Sequence, residues 1–512
     1  MLDEEKRIND SAWRRWGAYV SNRQWGTVRE DYSADGNAWT YISHDRARSQ
    51  AYRWGEDAIA GWCDRYQFIV FAFAFWNGKD PILKERLFGL NPYEGNHGED
   101  VKEYYFYLDG TPTHSYMKFL YKYPQEKFPY EQLVTENQKR TTKDREYELA
   151  DTGVFNSGYF DITIEYAKNS PEDTVIRLEI FNRSSKEASI DVLPQLFFRN
   201  VWSWGQNVPI PAIKVVDGAL YADPTQLPSP DWSIHPYQLP PLYLYGEQPT
   251  DFLFTKNETN AKDAFHRYVI GGDKNAIHPK KEGTKACYQY AGIKIPPGQS
   301  RVFRFRLTPG KESLKDVDAI ISQRKQEADA FYAARQPSKL SNDDKNIQRQ
   351  AIAGMLWSTQ FYLYDIEKWL DGDSIKPPAS RLHIRNTHWR HLHASDLISM
   401  PDKWEYPWFA SWDMAFQTIV LSLVDLSFAK LQLELFLRNR YQHPNGQIPA
   451  YEWNFSDTNP PVQAWALWHL YEADGKKDTN YLEANFLKLM ENFSWWVNKV
   501  DRLGNNIFEG GF

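Results

Sequence analysis

The chain has 512 residues, 42% hydrophobic and 25% charged, with a net charge of −7 at pH 7. That length exceeds one ordinary compact core and predicts two or three domains, and the composition excludes a disordered, collagenous or low-complexity chain. The acidic balance leaves no basic face for a phosphate backbone, so no nucleic-acid partner is expected.

Two cysteines, Cys63 and Cys287, cannot build a disulfide framework, and the polar start MLDEEKRINDSAW reads as no leader, so a cytoplasmic location is expected. The most apolar run, Tyr66 to Trp76, falls far short of the roughly 18 apolar residues of a membrane helix. It predicts a buried strand, and no membrane partner is expected. The unusual feature is the aromatic content, with 21 Trp, 31 Tyr and 29 Phe. Flat rings with a polar edge suit the apolar faces of sugars, and packing is the competing explanation.

From Met1 to about Leu307 the chain carries short runs of strand chemistry separated by Gly, Pro, Asn and Asp. Phe68 to Phe75, Tyr159 to Ala167, Thr174 to Asn182, Ala188 to Asn200 and Arg301 to Leu307 show alternation or short apolar runs. This spacing predicts a β-sandwich or super-sandwich over residues 1–310, with long loop insertions. Pro209 to Pro241 lacks periodicity and is expected to be a surface excursion, while the polar, aromatic run from Glu85 to Gln125 is expected to be a long interdomain loop.

From Ser313 the period changes to about 3.6 residues. A linker helix is expected within residues 311–340. A second helix follows, with Ser341 and Asp344 in capping-box register and Ile347, Ala351 and Met355 on one face. Further helices are expected at about Ser411 to Leu426, Phe428 to Tyr441, Pro460 to Glu472 and Tyr481 to Val500. Residues 341–512 therefore read as all-α, closer to a toroid of helical hairpins than to a four-helix bundle.

Three segments concentrate chemistry. In WEYPWFASWDMAF, from Trp404 to Phe416, Glu405 and Asp413 stand among tryptophans. A carboxylate between Trp408 and Trp412 can hold two sugar hydroxyls, although an Asp in a first helical turn is also what the helix dipole favours. In the run from His443 to Trp468, Asn459 followed by Pro460 reads as a helix N-cap, and the loop before it supplies Glu452, Trp453 and Asp457. The third segment holds His383, His388, His391 and His393, which could be read as a zinc site, but zinc-protease spacing and supporting cysteines are absent. No metal and no organic cofactor are expected. No G-x-S-x-G elbow and no phosphate-cradling glycine loop occurs.

The runs ERLFGLNPYEGNHGEDVKEYYFYLDGTPTHSYMKFLYKYPQ, WRHLHASDLISMPDKWEYPWFASWDMAFQ and NGQIPAYEWNFSDTNPPVQAWALW resemble the bacterial members of glycoside hydrolase family 63, related to processing α-glucosidases and mannosylglycerate hydrolases. The resemblance covers essentially the whole chain. It implies a β-sandwich joined through a helical linker to an (α/α)6 barrel, and inverting hydrolysis of an α-glucosyl or α-mannosyl linkage in an oligosaccharide or small glycoside.

By the same resemblance, Trp412 and Asp413 bind the sugar at the cleaved bond and Asn459 faces it. Trp408 and Trp453 join them as substrate-binding candidates on aromatic chemistry and position alone. Gln463 stands where the family carries a histidine, and His393 where it carries a tyrosine.

In the family, a Glu-Gly-Gly-Phe segment like Glu509 to Phe512 runs on to the general acid, and the general base lies further still. Inversion needs both carboxyl groups, roughly 6.5–9.5 Å apart. The catalytic residues are therefore expected beyond Phe512, and the chain is expected to be an inactive, C-terminally truncated fragment holding half of the barrel. A non-catalytic carbohydrate-binding protein is the alternative, and a metal-dependent hydrolase built on the histidines a weaker third.

Overall fold

A computed structural model describes residues 1–22, 49, 54–95, 100–204, 208–230, 233, 235–256, 262–372, 376–384, 386–404, 408–455, 459–501 and 503–505. A large antiparallel β region is followed by a helical region. The chain divides into two compact units. The first is Met1–Ser203, Asn207–Trp357 and Lys403–Glu405, and the second is Trp204–Gln206, Ser358–Asp402 and Tyr406–Phe512.

In the first unit a six-stranded sheet runs in the spatial order Trp16–Gly17, Ile59–Asp64, Ile69–Trp76, Ala188–Phe198, Lys285–Ile295 and Asp251–Thr255. A nine-stranded sheet runs Glu282–Gly283, Ile213–Val216, Ala219–Ala222, Leu242–Gly246, Ser300–Thr308, Asp173–Asn182, Tyr159–Ser170, Tyr116–Pro124 and Tyr104–Gly110. Aromatic rings join the two. Trp62 stacks on Tyr166 at 4.7 Å, Phe73 meets Phe305 at 5.9 Å, and Tyr290 meets Phe303 at 4.8 Å. Every one of these rings is buried, so much of the aromatic excess is core packing between sheets.

Two expected loops are strands. The excursion from Pro209 to Pro241 contributes Ile213–Val216 and Ala219–Ala222, turned at Asp217 and Gly218, both with positive φ. The run from Glu85 to Gln125 supplies Tyr104–Gly110 and Tyr116–Pro124 at the sheet edge. Its Glu103 is buried and pairs with Lys84 Nζ at 2.9 Å. His97 and Glu99 lie outside the described residues.

The helix Val317–Ala333 buries Val317, Ile320, Ile321, Ala328 and Phe331 at 3.6-residue spacing. It rests on the strands Tyr159–Ser170 and Asp173–Asn182. The helix Asn342–Trp357 has the expected capping box, with Asp344 N to Ser341 Oγ at 3.1 Å and Ser341 N to Asp344 Oδ2 at 3.3 Å.

Its expected inner face is wrong. Ile347 is 60% exposed and Ala351 is exposed, while Ile352, Ala353, Leu356 and Trp357 are buried. The cause is polar anchoring: Arg349 grips Asp109 through two bonds of 2.8 and 2.6 Å, and Trp357 Nε1 donates to the Asp109 carbonyl at 3.0 Å. These contacts turn residues 347 and 351 outward.

Lys403, 1% exposed, donates to the Ala18 carbonyl, and burial pushes its pKa down to about 7. The folded state then binds fewer protons than the unfolded state between that value and the ordinary 10.5, so this group's contribution to stability rises with pH across that window. Denaturant unfolding followed from about pH 7.5 to 9.5 is expected to show a slope on the order of 1 kcal/mol per pH unit that Lys403→Met removes.

The second unit is not wholly helical. Thr359–Asp365 pairs antiparallel with His393–Ser399, in register from Thr359 opposite Ser399 to Asp365 opposite His393. The helices Ser411–Leu421, Leu426–Leu435, Gln463–Ala473 and Thr479–Trp495 follow. The first contacts the second and third, and the third contacts the fourth. Phe416, Leu423, Trp465, Phe486, Leu487 and Phe493 are between 43% and 62% exposed, much apolar surface for one compact unit. No helix among the described residues is long and apolar enough to cross a membrane.

Candidate functional site

The chain enters the Ser411–Leu421 helix through an isolated antiparallel bridge between Ala410 and Tyr451. That bridge brings two of the sequence segments together. At its centre the Ala450 carbonyl accepts from Ser411 N at 2.9 Å, Ser411 Oγ at 3.2 Å and Asn459 Nδ2 at 3.2 Å. Gln463 Nε2 donates to the Ser411 carbonyl at 3.4 Å. The start of one helix and the approach to another are thus tied around one peptide group.

Asn459 was expected to cap a helix beginning at Pro460. The helix begins instead at Gln463, with Val462 at the N-cap position and no side-chain cap. The Asn459 amide is spent on Ala450, which places this residue beside Ser411, two residues before Asp413.

Asp413 sits in the first turn of its helix and is half-buried. The helix dipole favours its anion, yet burial dominates and raises the carboxyl above its ordinary value. No Lys, Arg or His pairs with it among the described residues. A partly buried carboxylate without a cation can accept from neutral hydroxyls.

The rings divide into two groups. Trp412 is half-buried and meets Phe416 at 6.0 Å, Phe416 meets Trp465 at 5.5 Å, and Trp465 meets His469 at 4.6 Å. Phe416 and Trp465 were not among the sequence candidates. Their signal was the four-residue spacing of Trp412 with Phe416 and of Trp465 with His469.

Trp408 and Trp453, expected at a sugar face, are 2% and 0% exposed. Trp453 Nε1 donates to the Trp389 carbonyl at 2.8 Å, and the Trp453 carbonyl accepts from Asn386 Nδ2 at 2.7 Å. Both rings are buried, with no face open to solvent. Beside Trp453, Glu452 is fully buried, accepts from Tyr362 OH at 3.0 Å and holds the left-handed backbone at φ 43°. A non-glycine residue there marks a loop whose shape its surroundings impose.

The four histidines go to different places. His383 closes a short 3-10 turn, His388 faces His443 at 6.0 Å, His391 faces Trp389 at 5.2 Å, and His393 Nδ1 lies 3.4 Å from Asp365 Oδ2. Among the described residues no group of three metal-ligating side chains converges. Glu405, Asp457 and Glu509 lie outside the described residues.

Among curated proteins, an uncharacterized protein of Saccharomyces cerevisiae is 42% identical over 569 aligned positions, which cover 99% of this chain and 52% of that protein. The chain thus spans about half the length of the curated relative it matches. Among solved structures, a putative kojibiose phosphorylase from the human microbiome is 10% identical with a TM-score of 0.30, over 95% of this chain and 57% of that one. A family 92 glycosyl hydrolase is 11% identical with a TM-score of 0.22, over 66% and 48%. Residues 406–509, which carry Trp408, Trp412, Asp413, Trp453 and Asn459, match the family model described as the mannosylglycerate hydrolase MGH1-like glycoside hydrolase domain.

Proposed function

We propose that the chain is part of an inverting glycoside hydrolase of the family 63 type, acting on an α-glucosyl or α-mannosyl linkage. Trp412, Asp413 and Asn459 bind the sugar at the cleaved bond, while the buried Trp408 and Trp453 support the segments that carry them. The observation that carries this reading is the Ala450 carbonyl, which ties Asn459 to Ser411, two residues before an Asp413 whose carboxylate pairs with no cation among the described residues. The glycoside hydrolase match over residues 406–509 supports the same chemistry, and the mannosylglycerate in that family's description supports a small glycoside as substrate.

Inversion requires one protonated and one ionised carboxyl group on opposite sides of the bond. We assign both to the longer protein, outside these 512 residues, a reading supported by a relative about twice as long. The helices of the second unit then form the first half of an (α/α)6 toroid, and further helices cover Phe416, Trp465 and Phe493. The buried, free thiols of Cys63 and Cys287 suit a cytoplasmic setting.

The test is proton NMR of the sugar released from α-glucosides and from mannosylglycerate. The longer protein is expected to release the β-anomer first, and the 512-residue chain to release nothing. Initial release of the α-anomer, or turnover by the 512-residue chain, contradicts the reading.

A further inference from the structure

The helix Val317–Ala333 covers part of one face of the nine-stranded sheet, the face that carries Arg304 and Arg306. Arg304 Nη2 pairs with Asp318 at 2.7 Å, and Arg306 Nη1 with Asp316 at 3.1 Å. The helix rests on Tyr116–Pro124, Tyr159–Ser170, Asp173–Asn182 and Ser300–Thr308. Beyond Ser300–Thr308 the same face continues over Leu242–Gly246, Ala219–Ala222 and Ile213–Val216.

Cross-strand partners share a face, so the register shows what this stretch carries. Tyr245 stands opposite Arg306, Tyr243 opposite Thr308, Tyr221 opposite Tyr243, and Lys214 opposite Tyr221. The alternate residues Leu220, Leu242 and Leu244 are fully buried and point into the core. Three half-buried phenol rings thus form one row on the outer face. Tyr221 meets Tyr243 at 4.9 Å, and Tyr243 meets Tyr245 at 5.7 Å with the two rings 18° from parallel.

The hydroxyls of the row are held weakly. Tyr221 OH lies 3.5 Å from Asp223 Oδ2 and Tyr245 OH 3.5 Å from the Gly310 carbonyl, while Tyr243 OH makes no hydrogen bond among the described residues. The charges beside the rings are balanced: Lys311 pairs with Asp217 at 2.8 Å, and Tyr221 stands between Lys214 Nζ, 5.8 Å from its ring centre, and the Asp223 carboxylate. A balanced face does not recruit a polyanion, which needs an excess of cations, and a flat row offers no groove for an amphipathic helix. Rings with hydroxyls at their edges are complementary to a neutral molecule that repeats C–H faces and hydroxyl edges along its length.

We propose that the tyrosine row is a surface binding site for a neutral oligosaccharide, whose successive pyranose faces lie on Tyr221, Tyr243 and Tyr245. It goes beyond the reading of the Asp413 site, belongs to the other compact unit, and needs neither the acid nor the base. A glycan long enough to engage both sites gains effective concentration at each from being held at the other.

The test is calorimetric titration of the 512-residue chain carrying Asp413→Ala with maltohexaose, so that the Asp413 site does not contribute. Maltohexaose is expected to bind with a dissociation constant on the order of 1 mM, and maltose, too short to span the row, about tenfold more weakly. Adding Tyr243→Ala or, separately, Tyr221→Ala is expected to weaken maltohexaose binding about tenfold with unchanged circular dichroism, whereas Tyr243→Phe, which keeps the ring, weakens it less than about threefold. No heat of binding up to about 50 mM maltohexaose overturns the proposal. So does binding that neither alanine variant weakens, equal affinity for maltose and maltohexaose, or binding of a heparin fragment in place of maltohexaose. Failure of the Asp413 site to take sugar leaves the maltohexaose response of the tyrosines intact, so the two readings fail separately.

Discussion

Replacing Asp413 with alanine in the longer, catalytically complete protein proposed above is expected to lower kcat/KM for the proposed α-glycoside about a thousandfold, equivalent to about 4 kcal/mol. The magnitude follows from two hydrogen bonds between a carboxylate and sugar hydroxyls, each worth about 1.5–3 kcal/mol when one partner is charged. Stability is expected to move the other way. A carboxyl whose folded pKa is raised binds more protons folded than unfolded, so its contribution to stability falls as pH rises through the window above 3.8. Removing it therefore leaves the thermal midpoint at pH 7 unchanged or higher, which separates a binding role from a structural one. A drop in kcat/KM below tenfold, or a matching drop in thermal midpoint, contradicts the assignment.

The second large effect is structural. Trp453→Ala is expected to destabilise the second unit by about 4 kcal/mol, because it removes a fully buried indole and its bond to the Trp389 carbonyl. Denaturant unfolding monitored in that unit measures it. Trp412→Ala, at a half-buried ring, is expected to cost less than half as much stability while weakening sugar binding about tenfold. Such a contrast would separate a structural Trp453 from a ligand-binding Trp412.

The alternating strands were the most legible part of the fold. RVFRFRL carries its pattern openly, because one face of Ser300–Thr308 meets the aromatic core and the other does not. The strands between Pro209 and Pro241 were hidden because each is four residues long and takes its identity from pairing with Leu242–Gly246 and Glu282–Gly283, neighbours no local window contains. The inner face of Asn342–Trp357 was misread for a similar reason. Apolar spacing pointed to Ile347 and Ala351, but the decisive anchors are the distant Asp109 carboxylate and carbonyl.

The candidate site was legible as two segments rather than as a place. Asp413 and Trp412 stood out by composition, and Asn459 by the proline after it. Proline at position 460 suggested a helix start, while the amide of Asn459 had a stronger use at the Ala450 carbonyl. The Ala410–Tyr451 bridge that joins the segments has no sequence signature, being a single backbone pairing across 41 positions. Aromatic residues were read as sugar platforms because their chemistry allows it, but burial sorted them: Trp408 and Trp453 inside, Trp412 at the edge.

The most direct test of the central claim is the position of a bound monosaccharide in crystals of this chain soaked with glucose or mannose. The account predicts a sugar with hydroxyls within about 3.2 Å of an Asp413 carboxylate oxygen and of the Asn459 side chain, and with one ring face against Trp412. A sugar that binds only away from all three residues, or crystals in which neither sugar occupies this position at saturating concentration, would contradict it.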